Sequence, residues 1–378
     1  MLMKQGEILS INVPGFNDPI CLEPINHQVL SQYVNTFGQD LLQRYGERVH
    51  KLTINAGLNC PNRDGSKGRG GCTFCNNRSF NPHARQPLSI AAQLAKGREV
   101  LAKRTGAERF IAYFQAYTNT YAEVQRLATL YEQALAEPDV VGLSIGTRPD
   151  CVSTAVLDLL SSYQQGGYEI WLELGLQSAF DTTLERIHRG HQFVDYQQAV
   201  QATRQRGIPV CTHLIVGLPG ENREFAVETL ARVLELGVDG LKLHPLHVVK
   251  QTILAKQWRQ GAYHPLEMAD YVAIAADLIE RTPPEIVYHR VTGTASLDIL
   301  LAPHWCHQKW AVLNAITRTL QQRGSWQGRF AKPSGNAQNH DVQSKPLVLS
   351  KHNDLNMKDI VYGTRLSGGE STGAESRS

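Results

Sequence analysis

Along most of the chain, short runs of apolar and β-branched residues alternate with longer stretches in which apolar positions recur every three or four residues. The short runs are KLTINAG (51–57), RFIAYFQ (109–115), VVGLSIGT (140–147), YEIWLELGL (168–176), IPVCTHLIVG (208–217) and VDGLKLHPL (238–246). Their length and near-continuous apolar character predict strands covered on both faces. After them come IAAQLAKGREVLAKR, YAEVQRLATLYEQALAE, TAVLDLLSSYQQ, TTLERIHRGHQFVDYQQAVQATRQRG, EFAVETLARVLELG and LEMADYVAIAADLIERT, all with a helical period. Gly166, Gly207 and Gly237 stand where three of these stretches end, the position at which a left-handed residue closes a helix.

Six successive βα units predict an α/β fold with a parallel sheet and right-handed crossovers. On pattern alone the sheet is either open and doubly wound or curved into a partial (β/α)6 barrel. Both arrangements gather functional residues at the C-terminal ends of the strands. Residues 1–50 form an N-terminal extension with a helix expected in QVLSQYVNTFGQDLLQRYG, 51–285 the core, and 286–330 a basic C-terminal extension. From 331 to 378 the chain is rich in Ser, Asn, Lys, Gly and Asp and too poor in apolar residues to offset its ordering entropy, so a disordered tail is expected there.

Composition adds little until its distribution is considered. No apolar run approaches the length of a membrane span, and MLMKQGEILSINVPGF lacks the charged and apolar regions of a signal peptide, so a cytoplasmic, membrane-free protein is expected. The net charge is only +3, but residues 60–85 carry Arg63, Lys67, Arg69, Arg78 and Arg85 against Asp64 alone. Residues 289–332 carry six Lys or Arg against Asp298, with Trp305, Trp310 and Trp326 among them. Basic side chains interleaved with aromatics suit a phosphate backbone and stacked bases; a solvated charged face with inward tryptophans is the alternative.

Three of the seven cysteines, Cys60, Cys72 and Cys75, lie in CPNRDGSKGRGGCTFC, a loop following the first strand. In a chain of this length that pattern favours metal binding or catalysis over disulfides. A structural zinc ion would need a fourth ligand, for which His83 is the nearest candidate. An iron–sulfur cubane held by three thiolates instead leaves one iron open to a small molecule.

The loop resembles that of radical S-adenosylmethionine (SAM) enzymes, and CPNRDG…GGCTFCNN resembles the branch that contains the Elongator catalytic subunit and the bacterial YhcC/YtqA-type proteins. The resemblance extends over roughly residues 20 to 330 and favours the partial barrel. It implies a [4Fe–4S] cluster on Cys60, Cys72 and Cys75, with Phe74 against the adenine of SAM. Gln115, and beside it Thr118, stands where the family carries its amino-group contact. GTRPD (146–150) has Gly146 where the branch has an acid, and ELGLQS…RGH implies Glu173, Gln177 and Arg189 as cofactor-site residues, Arg189 pairing with the methionine carboxylate. LIVGLPGE (214–221) is similar to the family's turn near adenine, and His244, His247, Lys250, His289 and Arg290 are expected on the same rim.

The resemblance further implies reductive cleavage of SAM to a 5′-deoxyadenosyl radical, fed by an electron donor such as flavodoxin or ferredoxin. The implied substrate is tRNA, at the side chain of a wobble uridine such as the carboxymethylaminomethyl group. Two other readings stand beside it: a radical SAM enzyme acting on a small metabolite or a protein, and a zinc-stabilised nucleic-acid-binding module without catalysis. Cys21, Cys151, Cys211 and Cys306 are scattered and form no second triad, which disfavours methylthiolation.

Overall fold

The computed structural model describes residues 9–11, 20–22, 30–76 and 88–331. The expected disordered tail, beyond Ala331, lies outside them, as do Arg78, His83 and Arg85. Seven parallel strands form one sheet: β1 (Val49–Ile54), β2 (Arg109–Phe114), β3 (Val140–Thr147), β4 (Glu169–Gln177), β5 (Val210–Val216), β6 (Gly240–Pro245) and β7 (Val287–Arg290). Their spatial order is their chain order, so each crossover adds the next strand on the same side. The six expected strands are present, and β7 is one more. It starts inside the segment read as a C-terminal extension, so the sheet continues past residue 285.

The helices between the strands follow from their apolar stripes and caps. In α3 (Val124–Leu135), Leu127, Ala128, Tyr131, Ala134 and Leu135 are buried on one face. The side chain of Ser153 caps α4 (Thr154–Gln165), and that of Asn222 caps α7 (Arg223–Leu234). Gly207 and Gly237 take the left-handed conformation expected of them; at the end of α4 it is Gly167, not Gly166, that does so.

The sheet is strongly curled. β1 and β7 are its two edges, and in a flat seven-stranded sheet they would stand about 29 Å apart. Instead Lys51 Nζ on β1 lies 2.8 Å from His289 Nδ1 on β7. The strands thus enclose a half-barrel, lined from one end to the other by side chains at alternate positions.

The N-terminal mouth of the half-barrel is closed by α1 (Phe37–Tyr45). Phe37 and Leu41 pack against Val49, Ile111, Trp171, Cys211 and Val287, with the Phe37 ring stacked 4.0 Å from His289. Arg44 anchors the helix to the start of β4 through Glu169 at 2.7 Å. The helix expected over 28–46 is shorter than its pattern suggests, because Asn35 and Thr36 are extended and continue the edge of β7: Tyr288 N donates to Asn35 O at 2.8 Å. Beyond β7, α10 (Lys309–Gln322) packs on α9 (Met268–Arg281), and Arg323 bridges Asp277 and Glu280 at 3.0 Å each. With one end of the barrel plugged, the other is left for a ligand.

Candidate functional site

At the C-terminal ends of the strands lies a cavity lined by residues from all seven strands or the loops that follow them. The cysteine loop forms one wall. It leaves β1 through Cys60, makes a single helical turn (Pro61–Asp64), and doubles back at Gly65, Gly70 and Gly71, which adopt φ of 98°, 86° and 89°. Buried Asn62 fastens it to the segment after β4, donating to His188 O at 2.6 Å. Gly190 permits that approach, since a Cβ there would lie 2.7 Å from Asn62 Oδ1. Thr73 N donates to Ile187 O, and Leu254 N to Thr73 O, so the loop is seated on two neighbouring elements.

Cys60, Cys72 and Cys75 all face this cavity. Burial, followed by the neighbouring Cys72, pushes the Cys75 thiol up to about 12; a bound metal reverses that preference, because a coordinating thiol is deprotonated outright. Among the described residues no three His, Cys, Asp or Glu side chains converge closely enough to hold a single metal ion. Three sulfurs of one loop around one cavity fit a multi-iron cluster, which takes each thiolate on a different iron. These residues therefore fit a [4Fe–4S] cluster better than zinc.

Arg189 stands directly beside the triad. It is buried, its NH1 lies 3.5 Å from Cys72 Sγ, and its NH2 donates to Gly175 O, while Nε has no partner. Gly175 is required here, because a Cβ would sit 2.8 Å from Arg189 NH2. Arg63 reaches the carbonyl of Cys75 at 3.4 Å, and Arg148 is held by Asp150 at 2.9 Å. Phe74, Gln115, Thr118 and Gln177 also line the cavity. Phe74 packs against the apolar cluster that contains Leu184, Leu246 and Leu254. Gln177 and Tyr117, at the ends of β4 and β2, have φ of 82° and 66°, strained values that direct them into the cavity.

Glu173 is not brought together with these residues. It lies one layer beneath the cavity lining, fully buried, and its oxygens are taken by Lys51 at 2.6 Å, His213 Nε2 at 2.7 Å, Lys242 and Ser144. Burial alone would raise its pKa, but Lys242 and Lys51 outweigh it and hold the carboxylate well below its usual range. Burial pushes Lys242 down to about 8 and His213, beside Lys242, down to about 4. His289 belongs to this layer as well. His244, His247 and Arg290 reach the cavity from β6 and β7; Lys250 does not line it and donates instead to Asp298 O at 2.6 Å.

Sequence reasoning passed over Lys51, Tyr113, Arg148, His213 and Lys242. The signal was present for two of them: a lysine in the middle of a strand otherwise buried on both faces, as in KLTINAG and LKLHPL, needs an internal anion. Of the three tryptophans in the basic segment, Trp305 is turned inward, its Nε1 donating to Leu266 O at 3.0 Å. Trp310 and Trp326 are 43% and 48% exposed, with Lys309 and Arg329 over their rings at 5.2 and 4.8 Å.

Comparison with known proteins agrees with this geometry. The model of the radical SAM superfamily matches residues 59–233, and that of the radical SAM C-terminal domain matches residues 238–322. Protein YhcC of Escherichia coli strain K12 is 53% identical over 304 residues, which cover 80% of this chain and 97% of that protein. A tRNA uridine(34) acetyltransferase of Dehalococcoides mccartyi is 33% identical over 159 residues, 41% of this chain and 34% of the relative. The solved structure of the archaeal Methanocaldococcus infernus Elp3 shares the fold, with a TM-score of 0.53 at 19% identity over 74% of this chain and 64% of its own.

Proposed function

The chain belongs to the radical SAM superfamily, and from that premise we propose that it is a radical enzyme that modifies a uridine side chain in the anticodon loop of tRNA. Membership makes it an enzyme with a [4Fe–4S] cluster and SAM as cofactors, and the reading as a non-catalytic zinc module is thereby overturned. A cluster held by Cys60, Cys72 and Cys75 would supply the reductive cleavage of SAM to a 5′-deoxyadenosyl radical, with an electron donor such as flavodoxin or ferredoxin.

The residues of this chain do the rest. Cys60, Cys72 and Cys75 would hold the cluster. Arg189 points NH1 at Cys72 Sγ and offers its unpartnered Nε to the methionine carboxylate of SAM. Phe74 supplies an apolar wall for the adenine, while Gln115 and Gln177 offer amide groups at the strand ends. Glu173 acts as a positioning residue, fixing the floor on which SAM lies, and not as a direct contact. The α1 plug and the packed floor exclude water from the interior, which a carbon radical requires.

One observation carries the radical reading: three sulfurs of one loop face a cavity built from all the strands, with Arg189 beside them. Two observations support RNA. The exposed Trp310 and Trp326 each present a ring with a cation over it, suited to an unpaired base, and the relative from Dehalococcoides mccartyi is named for a tRNA uridine. Among the described residues no helix is long and apolar enough to cross a membrane.

The test has two arms. Anaerobically reconstituted protein, reduced with SAM present, should release 5′-deoxyadenosine, whereas Cys75→Ala should lose its iron and this product while keeping its circular dichroism spectrum. In parallel, nucleoside mass spectrometry of tRNA from a deletion strain should show an accumulated uridine precursor. An unchanged nucleoside profile would direct the search to a metabolite or protein substrate.

A further inference from the structure

Four arginines line the cavity, and no aspartate or glutamate does. Three of the four have work to do. Arg63 and Arg189 are bonded to the cysteine loop, and Arg148 is paired with Asp150. Arg290, at the end of β7, is paired with Lys242 through its backbone, but its side chain has no hydrogen bond or ion pair with any described residue, and its Nε is sealed from solvent without a partner. The layer below does not neutralise it, because Lys51 and Lys242 already exceed the single charge of Glu173. An excess of buried positive charge facing a cavity is costly unless an anion completes it.

Two histidines stand with Arg290. His244 and His247 both line the cavity, their ring centroids 6.2 Å apart. His247 Nε2 is buried and unpartnered, and the His247 ring bonds the Gly293 backbone. Gly293 makes room for the pair, since a Cβ there would lie 2.2 Å from His244 Nδ1. Burial and the Arg290 charge hold both imidazoles neutral, His247 down to about 4. One guanidinium with two neutral imidazoles offers several donors but a single formal charge, which matches a carboxylate better than a doubly charged phosphate monoester.

This group is separate from the place assigned to SAM. The cysteine loop follows β1, at one edge of the sheet, whereas Arg290 ends β7, at the other edge, and His244 lies on β6 beside it. The cavity therefore has one region at the cysteine loop and another at the ends of β6 and β7.

We propose that Arg290, with His244 and His247, forms a substrate subsite that receives a carboxylate. The choice of probes, though not the subsite, rests on the uridine reading. A substrate anchored in this way would be held by its charged end at the ends of β6 and β7 while the rest of it extends towards the cysteine loop.

The experiment measures binding of three probes to the reconstituted protein with SAM bound, by isothermal titration. The probes are 5-carboxymethylaminomethyluridine, its carboxamide counterpart, and uridine 5′-monophosphate. The expected result is that the carboxylate binds best, that Arg290→Gln weakens it by about tenfold or more, and that Arg290→Lys restores part of the loss. The carboxamide should bind weakly and equally to all three proteins. Equal binding of carboxylate and carboxamide, unaffected by Arg290→Gln, would overturn the subsite while leaving the uridine reading intact. Arg290-dependent binding of the monophosphate alone would overturn the carboxylate assignment. If no uridine binds, that reading fails, and trifluoroacetate followed by fluorine NMR decides the subsite: line broadening lost in Arg290→Gln supports it, and broadening identical in both proteins overturns it.

Discussion

The residue that gathers most of the charge in the fold's interior is one that its motif offers to the cofactor. In ELGLQS, Glu173 reads as a ligand to the cofactor, but in the folded chain it is the counter-ion of Lys51 and Lys242 and the acceptor for His213. Sequence could locate it on the inward face of β4 but could not report that two lysines more than sixty positions away on either side in the chain, on other strands, would already occupy its oxygens. Glu173→Gln keeps the shape and removes the charge, leaving two lysines buried without their anion. The variant should lose about 3–5 kcal/mol of stability by chemical denaturation. If instead stability is within 1 kcal/mol of wild type and SAM affinity falls, Glu173 is a cofactor contact after all. The triad itself was the most legible part of the site, because its chemistry depends on residue type and on a glycine-rich loop. Arg290 and His247 were legible only as basic residues on a rim, since an absent partner cannot be read from a sequence.

Among elements, the six strands and the helices between them were visible because burial on both faces, or on one stripe, writes a strong period into the chain. β7 left a weak trace: it has four residues, and its last two, His289 and Arg290, are polar side chains whose place in the interior depends on β1 curling round to meet them. The N-terminal helix was visible, but its purpose was not, because a plug has no signature apart from the hole that it fills. Phe37 is the centre of that plug, packed on Trp171 and His289. Phe37→Ala should cost about 3–5 kcal/mol. It should also speed hydrogen exchange at β1 and β7, measured by mass spectrometry, while α10 and the cysteine loop keep their protection. Uniform acceleration across the chain would mean that α1 does not close this end locally.

For the whole molecule, the interior arrangement fixes how stability responds to acid. His213 and His247 are held at about 4, and His244 and His289 well below their ordinary value, burial being the main cause in each. The unfolded chain binds protons at these histidines from about pH 6.5 downwards, and the folded chain does not. Their contribution is therefore complete above pH 6.5 and is lost as pH falls from 6.5 towards 4. Each such histidine removes about 1.4 kcal/mol per pH unit in that window. Denaturation midpoints should thus drop steeply between pH 6 and 5 and change little between pH 7 and 8. A flat profile from 7 to 5 would mean that the histidines are solvated and titrate normally.

The contact between Lys51 and His289 joins positions 238 residues apart. Until the last strand has been made, the first has no opposite edge to meet, and the helix that seals the bottom has only part of its socket. Closure of the interior is thus a late event in the life of a nascent chain, one that requires a very long loop to close before its contacts are rewarded. During synthesis the concave surface, with its lysines and its apolar ring, stands open for most of the time that the chain takes to emerge. Productive folding of this protein is accordingly expected to depend on its being shielded from its neighbours over that interval.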